Sequence, residues 1–326
     1  LYLTAMKAVI VNSWSNDGIR LVTEVPKPTP GPQDVLIKVT ACYLSQMEKQ
    51  VIKGEYSAFT SLPVTPGIEI VGIVEQNGQD VDMFNKGQLV AGLLSLINCG
   101  GLAEYVCVPA ILLHAIPPGT VPLQVIGKLG VSLSAYTALF TVGHLLRGEK
   151  VAIIGCSNEA CFIARLATES NASVMVVCYK EEDKSTLTAK LPNKVVVIAA
   201  ENEEPEAAIL AHTGGVGVDI LIELTPLEVL NRRKTINVLG AFSRWITTTD
   251  AQLDPPDAKL LRMKSASISF LFSPTWALSS TQIGKYLHVM RDIIQSISSQ
   301  RIQHHDSLKT VTLEKVVDLL TSNTPL

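Results

Sequence analysis

The stretch VAIIGCSNEACFIARLA, residues 151–167, holds the chain's clearest candidate for binding chemistry. Val151 to Ile154 form a short apolar run, and Phe162, Ile163, Leu166 and Ala167 recur at helical spacing, so the segment reads strand, tight turn, helix. In an α/β protein such a turn can cradle phosphate, because the first turn of a helix offers free N–H groups and a partial positive charge. The usual motif, G-x-G-x-x-G, uses its first glycine for the tight turn, its second for close approach of the pyrophosphate and its third for helix–strand packing. Those three positions are Cys156, Asn158 and Cys161 in the loop Gly155-Cys156-Ser157-Asn158-Glu159-Ala160-Cys161. Asn158 tolerates left-handed backbone angles, so the turn can survive, but its side chain takes space that a phosphate needs. Cys161 is small yet pushes helix and strand apart. Glu159 complements the helix dipole and so can fill the anion site from within. It would also repel a pyrophosphate: two charges about 4 Å apart at an effective dielectric near 20 interact by roughly 4 kcal/mol, about a thousandfold in affinity. Two readings stay open. Either Glu159 closes the site, or it turns outward and leaves Ser157 and the N–H groups of 159 to 161 free for a phosphate.

Other catalytic templates are missing from the text. There is no G-x-S-x-G, no H-E-x-x-H and no G-x-x-x-x-G-K-[ST]. Zinc needs three or four close N, S or O ligands. The six histidines (114, 144, 212, 288, 304 and 305) form no such cluster, and the adjacent pair His304-His305 reads as exposed. The six cysteines never form C-x-x-C, which points to reduced thiols and the cytosol. A net charge of −3 steers nothing to nucleic acid, and the longest basic cluster, Arg232-Arg233-Lys234, reads as a solvated helix end. No apolar run approaches the roughly 20 residues that span a bilayer, so no membrane insertion is expected.

The elements that would position the turn fall into two parts. Residues 6–122 are rich in short Val/Ile strands (MKAVIV, DVLIKV, EIVGIV, GLAEYVCV) separated by Pro- and Gly-containing stretches, the pattern of a small irregular β-barrel. Residues 123–264 alternate apolar strands with helices, and TINVLGAF reads as a continuing strand. That alternation predicts a doubly wound parallel sheet covered on both faces. Residues 265–326 return to complete the β domain. The turn Gly214-Gly215-Val216-Gly217 precedes a strand rather than following one, so it reads as structural.

This order, together with MKAVIV, PGPQDVLIKV, TPGIEIVGIVE, GGLAEYVCVPA and TGGVGVDILIE, resembles the medium-chain dehydrogenase/reductase superfamily. The fold implied is α/β: a GroES-like irregular β-barrel domain plus a Rossmann-type parallel-sheet domain. Gly67-Ile68-Glu69 stands where zinc members have Gly-His-Glu, so the text is similar to the zinc-free quinone oxidoreductase (zeta-crystallin) branch and no metal is expected. RWITTTDAQLDPPDAKLLRMKSASISFLF and WALSSTQIGKYLHVMRDI resemble a divergent zeta-crystallin-like subgroup more specifically.

The resemblance implies NADPH as the cofactor, if any is bound, and a quinone reductase that takes its hydride from that cofactor. The cofactor positions depart from the pattern. Besides Cys156, Ser157, Asn158, Glu159, Ala160 and Cys161, the 2′-phosphate region CYKEEDK keeps Lys180 and Lys184 among three acids. Ala199-Ala200 stands where relatives place a tyrosine, and Ser45-Gln46 where they place Asn-Pro. We therefore expect no cofactor, no catalytic residue and a pseudoenzyme acting as an interaction subunit. The alternative is a weak NADPH-dependent quinone reductase. The subgroup implies protein partners in an endosomal multi-subunit complex, a Rab GTPase effector that carries messenger RNA, with the chain cytoplasmic and peripheral on early endosomes. No direct nucleic-acid contact is expected, and a homodimer is plausible by resemblance. Relatives finish with a strand of the type GKIVL, whereas the text ends DLLTSNTPL, so that edge strand is expected to be absent or to lie beyond the sequence.

Overall fold

Alternating Val and Ile between Pro/Gly punctuation makes the first seven strands. The computed structural model describes residues 5–225, 230–301 and 308–322. It divides into two units, Leu1–Gly130 with Pro274–Leu326, and Val131–Ser273; the sequence-based boundaries were 122 and 264. His304 and His305 lie outside the described residues.

In the first unit the strands are β1 (Ala5–Val11), β2 (Ile19–Pro26), β3 (Asp34–Tyr43), β4 (Glu69–Asn77), β5 (Leu89–Leu93), β6 (Tyr105–Pro109) and β7 (Leu113–Ala115). β1 and β2 pair antiparallel, and the other five form an antiparallel sheet in the order β6-β3-β4-β5-β7. The helix Ile283–Ser298 buries Tyr286, Val289, Met290, Ile293, Ile294 and Ile297, one stripe at helical spacing.

The second unit holds β8 (Lys150–Ile154), β9 (Ser173–Cys178), β10 (Val196–Ala199), β11 (Val218–Glu223), β12 (Leu239–Thr247) and β13 (Ser267–Phe270). All pair parallel in the order β10-β9-β8-β11-β12-β13, so the strand order reverses between β8 and β11. That is the doubly wound arrangement, whose ligands bind beyond the carboxyl ends of the strands at the switch point. Val151, Ile153, Val174 and Val176 are buried in one apolar cluster, and Ala152, Ile154, Met175 and Val177 in another. Burial of both faces explains why the strands read as continuous apolar runs.

Two expectations need correction. TINVLGAF is not one strand: Arg232–Asn237 is helical, with the Asn231 side chain accepting from the Lys234 N–H as its cap, and β12 starts at Leu239. The basic trio therefore sits at the start of that helix, where cations oppose the dipole, and Arg233 and Lys234 are offset by Asp257 (3.5 Å) and Glu204 (2.9 Å). An apolar stretch of spanning length does exist, Pro122–Val142, 21 residues; 61% of its most apolar window is buried inside the protein, as for a core helix.

One buried carboxylate organises the start of β4. Glu69 accepts from the N–H groups of Gly127 (2.6 Å), Leu129 (3.2 Å) and Gly130 (3.0 Å), at the start of the helix Leu129–Tyr136. Burial pushes its pKa from 4.5 up to about 7, against the pull of those three donors. Between these values the folded chain keeps a proton that the unfolded chain has lost, so this group's contribution to stability falls as pH rises from about 4.5 to about 7. We expect Glu69→Gln to remove that slope. Urea midpoints of the two proteins across this window should differ in pH dependence by up to about 3 kcal/mol. Parallel profiles would mean that Glu69 is ionised throughout.

Candidate functional site

β8 delivers the chain into the candidate turn at the topological switch point. The Gly155 N–H donates to the Val177 carbonyl (2.9 Å), and its φ of +135° is a conformation side chains rarely adopt. The one glycine kept in the loop is thus the one whose backbone requires it. The helix Asn158–Glu169 follows, and its N-cap is Ser157, whose Oγ accepts from the Ala160 N–H at 3.3 Å. The Cys161 N–H donates to the Ser157 carbonyl (3.2 Å). Among the described residues, the N–H groups of Asn158 and Glu159 have no acceptor, so these are the donors an anion could use.

Glu159 does not turn outward. Its half-buried carboxylate accepts a short hydrogen bond from the Ser134 Oγ, in the helix Leu129–Tyr136. Burial raises its pKa, and the Ser134 hydrogen bond partly opposes the rise. Cys161 and Ala160 are buried in the cluster with Val151, Ile153 and Ile163, so the third motif position does packing work. Cys156 is exposed; its thiol pKa is raised, first by desolvation of the sulfur and then by the Asp183 carboxylate beside it.

The end of β9 is acidic. Lys184, retained from the 2′-phosphate pattern, lies on the helix Glu181–Lys190 and reaches Glu181 at 3.9 Å. Glu181 also accepts from Asn202 (3.0 Å), and the Glu181 N–H donates to Glu201 (3.2 Å). The Cys178 Sγ donates to the Ile198 carbonyl (3.4 Å), and burial pushes its thiol up to about 11. Glu181, Glu182 and Asp183 thus open this helix and Glu201 accepts from its first N–H, so acids stand where an adenosine phosphate would be read by cations.

In the other unit, Ser45 N-caps the helix Gln46–Ile52 in a capping box with Glu48, whose carboxylate also accepts from the Ile68 N–H (3.2 Å). Ser45 is therefore engaged in local structure. Among the described residues no group of three or more His, Cys, Asp or Glu could hold a metal ion. The structure therefore brings Cys156, Ser157, Asn158, Glu159, Ala160 and Cys161 into one turn and leaves Lys184 on the next helix in an acidic setting. Sequence reading missed Ser134 and Glu201. Ser134 lies 25 residues from Glu159, and no local pattern links them.

Residues 31–118 match the alcohol dehydrogenase GroES-like domain. The chain is 30% identical over 306 residues to Quinone oxidoreductase-like protein 1 of Mus musculus, covering 88% of this chain and 87% of that protein. It is 28% identical to the quinone oxidoreductase of Lama guanicoe, covering 83% of this chain and 81% of the relative. Among solved structures, the fold matches a Pseudomonas syringae quinone oxidoreductase with a TM-score of 0.81 at 16% identity, covering 98% of this chain and 97% of the other. It also matches the Escherichia coli quinone oxidoreductase complexed with NADPH, with a TM-score of 0.79 at 14% identity, covering 97% and 96%. The parallel-sheet order, the GroES-like match and the identity across most of the chain converge: this protein belongs to the quinone oxidoreductase-like family of medium-chain dehydrogenases/reductases.

Proposed function

We propose that the protein is a non-catalytic member of this family that works as an interaction subunit. The observation that carries the reading is the Glu159 carboxylate, held in the first turn of the helix Asn158–Glu169 by the Ser134 hydroxyl. A carboxylate there answers the helix dipole with the protein's own charge. Relatives of this class make NADPH the cofactor to test. The residues at the turn do not fit its pyrophosphate: Ser157 spends its oxygen on the Ala160 N–H, Asn158 adds bulk, and Glu159 adds like charge. The acids around Lys184 oppose a 2′-phosphate in the same way. Since hydride in this chemistry comes from the cofactor, a chain that binds none has no reductase reaction. Membership of an endosomal multi-subunit complex and a homodimer belong to this reading as proposals drawn from the resemblance.

One observation favours a second reading, a weak NADPH-dependent quinone reductase. The N–H groups of Asn158 and Glu159 remain without an acceptor among the described residues. A phosphate could take them if the Ser134 bond were given up.

Calorimetric titration of the folded protein with NADPH and NADH separates the two. No heat up to millimolar cofactor is the expected result, and micromolar binding of NADPH would overturn the non-catalytic reading. In the double variant Asn158→Gly with Glu159→Gly, an affinity regained into the micromolar range would show that the turn alone closes the site. No gain would place further obstacles in the acidic region near Lys184. Ser134→Ala should lower stability by about 1–3 kcal/mol, read as the urea midpoint, because it leaves a half-buried carboxylate short of its donor. An unchanged midpoint would mean that Glu159 is satisfied by solvent.

A further inference from the structure

The end of the parallel sheet opposite the candidate turn carries a row of apolar side chains in water. Leu146 precedes β8, Val216 precedes β11, Phe242 lies in the first half of β12, and Met263 precedes β13. These strands are neighbours in that order. The four side chains are 64%, 64%, 76% and 72% exposed, the four highest values among the described large hydrophobic residues. Large apolar side chains scattered singly over a surface need no explanation, but a contiguous set does.

Hydrogen bonds and a close backbone approach link the segments that carry the row. The Leu146 N–H donates to Glu149, whose other carboxylate oxygen accepts from Arg244 at 2.6 Å, two residues beyond Phe242. A Cβ on Gly240 would lie 3.1 Å from the Val216 carbonyl oxygen. The Phe242 N–H donates to the carbonyl of Lys264 (2.8 Å), the residue after Met263. At about 4.8 Å between strands, four positions span about 15 Å, the length of about ten helical residues.

Phe242 is held in this row against backbone preference. Its φ is +58°, in the left-handed region that favours glycine and is unusual for a bulky residue. The register of β12 explains how: Val218 pairs with Leu239, but Ile220 pairs with Arg244, so the intervening residues bulge out. Lys264 fixes the bulge by donating its ammonium to the carbonyls of Asn237 and Leu239.

The charges beside the row are basic. Arg147 and Arg262 are exposed and have no ion-pair partner among the described residues. Two acids bonded to these segments are engaged: Glu149 on Arg244 and the Leu146 N–H, and Asp219 on the Lys150 N–H (2.7 Å). We propose that Leu146, Val216, Phe242 and Met263 form a docking strip for an amphipathic helix of a partner protein, its apolar stripe flanked by acidic residues that meet Arg147 and Arg262. Phe242 is the aromatic anchor, the type of residue that carries most energy in such interfaces. A second copy of the chain would bring the same two arginines against each other. Two free arginines also fall short of the roughly four to eight basic residues of an anionic-lipid patch. The proposal deepens the interaction-subunit reading and rests on it.

The test is fluorescence anisotropy of the full chain with a synthetic helical peptide, leucines at i, i+3, i+4 and i+7 flanked by glutamates. A twin with lysines for glutamates is the control. The acidic peptide should bind, the basic twin should not, and Phe242→Ser and Met263→Ser should each weaken binding at least tenfold. Phe242→Gly, which relieves the backbone, should keep or raise Tm and yet bind as poorly as Phe242→Ser. The proposal is overturned if the acidic peptide fails to bind, if both peptides bind alike, or if Phe242→Ser binds like the original. It is overturned equally if that variant abolishes binding to phosphatidylserine vesicles or self-association in sedimentation instead. Cofactor calorimetry decides the closed-site reading separately, so each can fail alone.

Discussion

A helix that begins inside a protein presents unpaired N–H groups and partial positive charge, and something must answer them. In this chain a carboxylate of the protein itself stands at two such starts. Glu69 takes three N–H donors at the start of the helix Leu129–Tyr136. Glu159 sits in the first turn of the helix that follows β8, with the Ser134 hydroxyl holding its oxygen. The first is a structural solution that fixes the start of β4. The second is an acid in the first turn after β8, the turn where a doubly wound sheet ordinarily receives a phosphate, while the N–H groups of Asn158 and Glu159 have no acceptor among the described residues. A first-turn acid complements the dipole electrostatically, so this helix start has a counter-charge from the chain itself.

That substitution explains why the surroundings of the turn could change without loss of the sheet. Cys161 joins the buried cluster beneath the helix, where a glycine would have contributed nothing to packing. Ser157 caps the helix directly. At the end of β9, Glu181 accepts from Asn202 and its N–H donates to Glu201, which gives the local backbone partners drawn from the chain. Each of these residues contributes to local order. The same economy accounts for the one glycine that stays: Gly155 keeps its place because its backbone angle, rather than any ligand, requires it.

The doubly wound domain was legible because its strands are buried on both faces and so read as uninterrupted apolar runs, and the likeness of phrases such as GGLAEYVCVPA covered the β domain as well. Glu159 was legible as a problem, since a first-turn acid is a local pattern. Which way it points was not, because Ser134 is set by tertiary packing. TINVLGAF misled for a related reason. Thr, Ile and Val favour strands, but the Asn231 cap and the pairing of Leu239 with Val218 decide the boundary. The apolar length of Pro122–Val142 is not visible as a continuous run, because Lys128 interrupts it while the window average stays high. The exposed row was invisible for a different reason. Leu146, Val216, Phe242 and Met263 are scattered over more than a hundred residues, and only the strand order makes them neighbours.

The two ends of the sheet invite comparison on strain. At the carboxyl end, the residue with an unusual backbone is a glycine, Gly155, so the turn stores little energy. At the amino end, a phenylalanine occupies a left-handed conformation, a choice worth about 1–2 kcal/mol against folding. Burial among the described residues does little to offset it, because Phe242 is 76% exposed. A glycine there would form the same bulge, since the hydrogen bonds that pin it come from the backbone of Phe242 and the side chain of Lys264. Under the docking proposal, a partner's apolar stripe supplies the burial that the domain does not give Phe242. The two ends of one sheet thus pose separate physical questions, anion binding beyond β8 and apolar recognition at the amino end.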